Sequence, residues 1–247
     1  MININSIKEM YEKESQVKRY TYATMEIGLW ESEKILFPKY FSKKQNILDI
    51  GCGTGRTTIS LYKLGFSNII GLDLSANFIK AAKSIALKGK LDIKFIIGNV
   101  LSMDIETNFF EGAIFSFNGL MQIPDKKNRL IAMKEIFRIL KNASYFIFTT
   151  HTGRQETGLF LDFWNDYDKK WNSPDKDKRL IDYGDRFFIN DDIDQFIHIP
   201  TQIEVKNLIN ETGFELVECR KRSEICIERK EVLDYSVDCL FWIVYKK

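Results

Sequence analysis

The run Ile47-Leu48-Asp49-Ile50-Gly51-Cys52-Gly53-Thr54-Gly55-Arg56 sets an acid and three alternate glycines between an apolar segment and a helix-like one. Glycine permits the positive φ of a sharp turn and lets a ligand lie against bare backbone. The helix N-terminus that follows offers unpaired N–H groups and a partial positive charge, which suit a ligand carrying a carboxylate. Spacing separates the candidate chemistries. A dinucleotide fingerprint, G-x-G-x-x-G, would put its third glycine at Arg56, whose long side chain obstructs the close helix–strand packing of a pyrophosphate turn. A phosphate-cradling loop would end in Gly-Lys-Ser/Thr, and that ending is absent. A second acid, Asp73, closes Ile70-Gly71-Leu72-Asp73, 22 residues beyond Gly51. At a neighbouring strand end its carboxylate can accept both ribose hydroxyls of an adenosine.

The G-x-G-x-G turn with Asp49 two residues ahead resembles motif I of the class I S-adenosylmethionine (SAM)-dependent methyltransferases, and the likeness runs from about Asn46 to Thr150. The resemblance implies SAM as cofactor, S-adenosylhomocysteine as product and no metal. It implies that Asp49, Gly51, Cys52, Gly53 and Gly55 surround the amino-acid tail, that Asp73 holds the ribose, and that Leu74 offers the adenine an apolar surface. Asn99 and Val100 would flank the adenine; many relatives have aspartate at the first of these positions, and an asparagine there is also a common turn residue. Phe117 and Asn118 would pass beside the methionine part and the transferable methyl. Met121 and Gln122 would line the acceptor pocket, or Met121 the core. Tyr20 and Tyr22 could close over the cofactor, as aromatic caps do in some relatives.

A sulfonium already activates the methyl group, so holding donor and acceptor in line supplies most of the acceleration. A base matters only where the acceptor is a protonated oxygen or nitrogen, or an activated C–H. Only two histidines exist. His151 follows the fifth strand at the carboxyl edge of the sheet, where open α/β folds place ligands, and is the first candidate for a base or orienting group; the alternative is a hydrogen-bonded turn histidine. His198 could approach the same pocket from an insertion. The expected acceptor is a small or medium-sized metabolite. The alternatives are a tRNA or protein acceptor, or a non-catalytic SAM-binding regulatory module; an NAD(P) oxidoreductase is opposed by Arg56.

The elements that must position these residues alternate as strand and helix. Strands are expected at Asn46–Ile50, Asn68–Asp73, Ile93–Ile97, Gly112–Phe117 and Ser144–Thr150, with helices at Thr57–Leu64, after a Ser75 N-cap, and at Lys126–Leu140. That rhythm implies an α/β fold: a Rossmann-like, doubly wound, mostly parallel seven-stranded sheet. The strand-like segments Phe214–Glu228 and Ser236–Tyr245 add a C-terminal antiparallel hairpin strand, after a helix Thr201–Thr212. One domain spans 1–247, with an N-terminal helical region 1–44 and a lid-like insertion 151–200. The helical stretch Ser6–Phe41 buries Ile27, Trp30, Ile35 and Leu36 and breaks or ends at Pro38. The insertion holds an amphipathic helix with Phe160, Phe163, Trp164 and Tyr167, more in keeping with its own core than with a substrate box, and a hairpin around Asn190-Asp191-Asp192.

Composition limits the rest. A net charge of +2 over 247 residues is far from that of a dedicated nucleic-acid binder, and the clusters Lys126-Lys127-Arg129 and Arg220-Lys221-Arg222 read as solvated faces. No Asn-Pro-Pro-Tyr-type motif follows strand four, which argues against methylation of adenine in DNA; RNA is likewise not expected. No run of about 18 apolar residues suggests a membrane span. Cys52, Cys219, Cys226 and Cys239 form no CxxC pair and read as reduced thiols of a cytoplasmic protein.

Overall fold

The computed structural model describes residues 1–153, 159–190 and 193–247; side chains at 159, 160, 162, 163, 189, 190, 193 and 194 lie outside that description. The strands are β1 (Ile47–Ile50), β2 (Ile69–Asp73), β3 (Lys94–Ile97), β4 (Phe110–Phe115), β5 (Leu140–His151), β6 (Asp185–Asn190), β7 (Ile193–His198), β8 (Glu215–Lys221) and β9 (Cys239–Lys246). Seven of them make one sheet in the order β3-β2-β1-β4-β5-β9-β8. The first five run parallel, and β9 is antiparallel to both of its neighbours. Strand order reverses between β1 and β4, and that is where such sheets open a ligand crevice at the carboxyl ends. β6 and β7 pair with each other as a separate antiparallel hairpin.

Alternation along the strands builds two cores. Phe146, Phe148, Trp242 and Val244 face one side, with Met133, Ile136 and Ile139 of α6 (Lys126–Ile139) and Val205 and Ile209 of α8 (Gln202–Thr212). Ile147, Phe241 and Ile243 face the other, against Leu61 of α4 (Arg56–Lys63) and Trp30, Leu36 and Phe37 at the N-terminal end of the chain. A smaller cluster under α5 (Ala76–Lys88) holds Ile79, Ala82 and Phe95. Ser75 caps α5 as expected, its Oγ accepting from the Phe78 N–H at 3.1 Å.

The N-terminal region is three helices rather than one. α1 (Ile4–Tyr11), α2 (Glu14–Tyr22) and α3 (Glu31–Tyr40) are separated by a short break and by a wide five-residue turn, Ala23–Ile27. Pro38 lies inside α3, which ends at Tyr40. Ile35 faces solvent at 49% exposure, off the buried stripe expected for it, because the turn before α3 resets the helical phase. The C-terminal segments also differ from expectation. β8 stops at Lys221, and two short helices, α9 (Arg222–Ile225) and α10 (Lys230–Tyr235), separate it from β9. β4 begins and ends two residues early, so Phe117 leaves the strand. α7 (Leu159–Trp171) is the amphipathic helix of the 151–200 segment.

Two basic residues expected on solvated faces are buried. Arg129 donates to the Ile123 carbonyl and pairs with Asp182, and Arg222 donates to the Ser236 carbonyl. Arg56 is also buried, gripping Glu33 through two bonds of 2.6 and 2.7 Å. This pair clamps α3 to the start of α4, directly beside the glycine turn. Removing one partner of a buried pair leaves an uncompensated charge, so Glu33→Ala should cost about 3–5 kcal/mol in urea unfolding. A loss below about 1 kcal/mol, the range of an exposed pair, would show that the clamp is not desolvated.

Candidate functional site

The glycine turn leaves β1 with Gly51 and Gly53 at φ +61° and +57°. A Cβ on Gly51 would sit 2.6 Å from the Phe115 ring, so no larger residue fits there without a shift. At Gly53 the Tyr20 ring stands 3.4 Å from the same imagined position, close to ordinary contact. The turn is tied to the neighbouring strand through Asp73. The Gly53 N–H donates to Asp73 Oδ2 at 2.8 Å, and the Ser75 N–H donates to Asp73 Oδ1 at 2.8 Å. Burial pushes the Asp73 carboxyl up to about 6 against these stabilising donors. A ligand that donates further hydrogen bonds would favour its ionised form.

Three spaces lie on this side of the sheet and share wall residues. A slot of about 90 Å³ lies over Gly51, Gly53, Asp73, Leu74, Asn99 and Val100. A recess of about 40 Å³ lies between the turn, Thr24, Thr57 and Phe117. A chamber of about 580 Å³ opens beside them, bounded by Asn118, His151, Trp164 and the β6–β7 hairpin. Tyr20 and Gln122 border all three. Tyr20 is packed against Phe78 with ring centroids 4.9 Å apart and meets Tyr11 edge-on at 6.0 Å. Burial raises the pKa of both tyrosines, so they stay neutral hydroxyls.

His151 ends β5 on the chamber wall. Its Nε2 stands 3.4 Å from Asn118 Nδ2, while the Asn118 N–H donates to Thr149 Oγ1 at 2.8 Å. Phe117 and Asn118 both have positive φ, +52° and +60°, which turns the chain sharply as it leaves β4. Burial first, and the nearby Arg186 charge second, pull the His151 pKa down to about 4, so the imidazole is neutral at neutral pH. Trp242 donates from Nε1 to Thr150 Oγ1 at 2.9 Å and braces the same strand end.

Most of the residues expected around the cofactor converge, with specific exceptions. Gly51, Gly53, Asp73, Leu74, Asn99 and Val100 line the slot, and Phe117 and Asn118 line the chamber. Asp49 does not reach the slot: it is buried behind the turn, accepts from Thr58 Oγ1 at 2.6 Å, and burial raises it to about 7. The Cys52 side chain points into the apolar cluster with Ile59, Ile79 and Phe95, because the turn alternates its faces; burial raises its thiol. Gly55 is the cap residue before α4 and lies under Ile59 and Phe95. Asn99 uses its side-chain oxygen on the Leu101 N–H at 3.0 Å, a local turn bond that takes one of the two lone pairs of that oxygen. Met121 is core, Gln122 lines the site, and Tyr22 is exposed whereas Tyr20 is not. Trp164 borders the chamber, so the aromatic helix serves the site as well as its own packing; the Phe160 and Phe163 side chains and residues 191–192 lie outside the described residues.

His198 is the clear correction. It is 0% exposed and faces away from the chamber, with Nδ1 2.8 Å from Asp185 Oδ1 and Nε2 2.9 Å from Glu204 Oε1. The hairpin alternates: Arg186, Phe188, Gln195 and Ile197 share the chamber face, and Asp185 and His198 are paired on the opposite one. Arg129 completes the network through Asp182 and Glu204. Asp182, Asp185 and His198 present atoms within 4.8 Å of one another, as a metal site would. Those atoms are already engaged by Arg129, by each other and by backbone N–H groups, so the resident cation is a guanidinium. The residues that sequence reasoning missed are Tyr11, Arg19, Arg186, Gln195 and Tyr235, all on the chamber wall.

A family model of the methyltransferase domain matches residues 41–212. The chain is 30% identical over 151 residues to human EEF1A lysine methyltransferase 2, a match covering 57% of this chain and 64% of that one. It is 34% identical over 101 residues to a Staphylococcus aureus demethylmenaquinone methyltransferase, covering 40% of each. The matches thus span roughly two fifths to two thirds of these relatives' own lengths. Among solved structures, a SAM-dependent methyltransferase from Methanosarcina mazei superposes with a TM-score of 0.67 at 22% identity, over 85% of this chain and 98% of that one. No helix among the described residues is long and apolar enough to cross a membrane.

The His198 network makes hairpin stability depend on pH. Burial alone would lower the His198 pKa, but its bonds to Asp185 and Glu204 outweigh that and raise it. Asp185 and Glu204 are lowered, despite burial, by the bonds to His198. The histidine's contribution is therefore complete below the ordinary imidazole pKa and lost as pH rises through its folded value. The carboxylates' contribution is present above their ordinary values and lost as pH falls through the folded ones. The window lies between roughly pH 5 and 6.5. His198→Gln should lose more urea stability relative to the parent chain at pH 5.5 than at pH 9, and an equal or reversed gap would mean a neutral histidine.

Proposed function

This chain belongs to the methyltransferase-domain family, and we propose that it moves a methyl group from SAM to a small or medium-sized organic acceptor held in the chamber beside the glycine turn. The observation that carries this reading is the chamber of about 580 Å³, which adjoins the slot across Tyr20 and Gln122. That volume is in the range of small-molecule sites, which span about 300–1,000 Å³.

The residues that line the slot match the parts of SAM in chemistry. Gly51 and Gly53 line the slot with backbone alone, and Asp73 presents a buried carboxylate to a sugar edge. Leu74 and Val100 give a flat ring an apolar bed. SAM brings a methyl group already activated on a sulfonium. The chain's own work is to position and to dry. Tyr11 and Tyr20 roof the slot, Asn118 and Gln122 orient an incoming acceptor, and Trp164 and the hairpin act as a lid that excludes water. His151, neutral and within reach of the chamber, receives a proton at a ring nitrogen when the acceptor has one to lose.

An RNA acceptor finds little support. The two basic clusters present no coherent cationic face, since Arg129 and Arg222 are buried and Arg220 and Lys221 lie near Glu218 and Asp238. A lysine acceptor, suggested by the name of the human relative, would bring its ammonium toward Arg19 and Arg186.

Calorimetry with SAM, S-adenosylhomocysteine and NAD tests the assignment: the two sulfur nucleotides should bind and NAD should not, and the opposite ranking sinks it. Asp73→Asn should weaken S-adenosylhomocysteine binding by about 1–3 kcal/mol through lost charge-assisted hydrogen bonds. Unchanged affinity in a variant with an unaltered melting profile would remove Asp73 from the ribose.

A further inference from the structure

Methyl transfer by itself calls for no arginine beside the acceptor, yet two arginines stand on the chamber wall. Three residues with formal charge line it among those described: Arg19, Arg186 and Asp238. Asp238 is already committed, accepting from the Ser223 and Cys239 N–H groups at 3.2 and 3.0 Å with Lys221 and Arg222 nitrogens 3.6 and 3.7 Å away. Arg19 has no carboxylate within ion-pair distance among the described residues. Its contacts are the Gln195 side-chain oxygen at 3.4 Å and the face of Tyr235 at 5.5 Å. Arg186 reaches the chamber from β6, on the same hairpin face as Gln195. Gln195 is 5% exposed, and its Nε2 has no partner. A buried donor without a partner costs free energy that a bound acceptor atom would recover. The remaining wall is apolar and aromatic, with Trp164, Phe117, Phe188 and Ile197.

We propose that the methyl acceptor is an organic anion, a carboxylate or phosphomonoester on a ring-bearing apolar body, with Arg19, Arg186 and the Gln195 amide holding the anionic group. This rests on the chamber being the acceptor site of a SAM-dependent enzyme. The guanidiniums bond the anion in the low-dielectric chamber, where charge-assisted bonds are strongest, and the aromatic wall takes the body. A neutral acceptor leaves Arg19 without its counter-charge, and a cationic one is repelled.

The test uses the full chain saturated with S-adenosylhomocysteine and a panel of one- and two-ring carboxylic acids, their phosphomonoester counterparts and their matched neutral amides, followed by calorimetry. At least one anion should bind tenfold or more tightly than its amide, and the comparison between carboxylates and phosphomonoesters identifies which anion is preferred. Arg19→Gln and Arg186→Gln should each erase that preference, Arg19→Lys should keep part of it, and all should bind S-adenosylhomocysteine within twofold of the parent. Amides binding as tightly as the anions, no panel member binding, or variants that keep the full preference would each overturn the proposal. A large loss of S-adenosylhomocysteine affinity in Arg19→Gln would also overturn it, by assigning Arg19 to the cofactor's own carboxylate. Failure of the parent chain to bind S-adenosylhomocysteine is a separate result that strikes the methyltransferase reading itself.

Discussion

A single buried carboxylate organises the part of this molecule around the glycine turn. Asp73 accepts from the backbone N–H of Gly53 and from that of Ser75, so one side chain fixes the glycine turn after β1 to the entry of α5 after β2. The parallel pairing of β1 with β2 sets the two strand ends side by side, and the carboxylate joins what the sheet has aligned. Burial alone would neutralise it, and its elevated pKa records that tension. Two backbone donors hold the group in place without exhausting its capacity, since each carboxylate oxygen has two lone pairs. The same interaction that stabilises the turn thus leaves an acceptor facing the slot.

The N-terminal helices depend on this frame. Glu12, at the end of α1, accepts from the Ala76 and Asn77 N–H groups at the start of α5. An acidic side chain at a helix N-terminus is favoured by the unpaired N–H groups and the local dipole. Thr24 reaches Thr54 in the glycine turn at 2.7 Å, and Arg56 reaches back to Glu33. These contacts seat Tyr11 and Tyr20 over the slot. The roof is therefore held by polar bonds at its edges, with aromatic packing at its centre.

How much could be read from the chain alone depends on whether a residue's role is local. The glycine turn, Asp73, the alternating elements and the placement of His151 at a strand end follow from short-range spacing, and all were legible. The failures occur where a side chain must choose between two faces. Asp49 and Cys52 belong to the right motif but point behind the turn, since backbone and side chain at one position serve opposite sides. His198 lies two residues from Phe196 on a period-two strand, so it shares the face away from Gln195 and Ile197; that alternation was present in the sequence and predicts the outcome. Arg19 and Tyr235 meet at the chamber although 216 positions separate them in the chain. No local pattern connects them, because the β9–β8 edge and the N-terminal roof come together only in three dimensions.

The chamber's charge bears on its candidate base. Burial is the larger cause of the low His151 pKa, and the positive field of Arg186 is the second. An anion bound against Arg186 cancels that second contribution and moves the imidazole back toward its ordinary value. Under the proposed assignment, base strength at His151 is then coupled to occupancy, and it rises once an anion is seated against Arg186. On that assignment, such a chamber favours an acceptor with its own negative charge through binding and, where that acceptor has a proton to lose, through the stronger base as well. A neutral molecule of the same shape would, under the proposed assignment, leave both the Arg19 charge and the His151 imidazole unchanged.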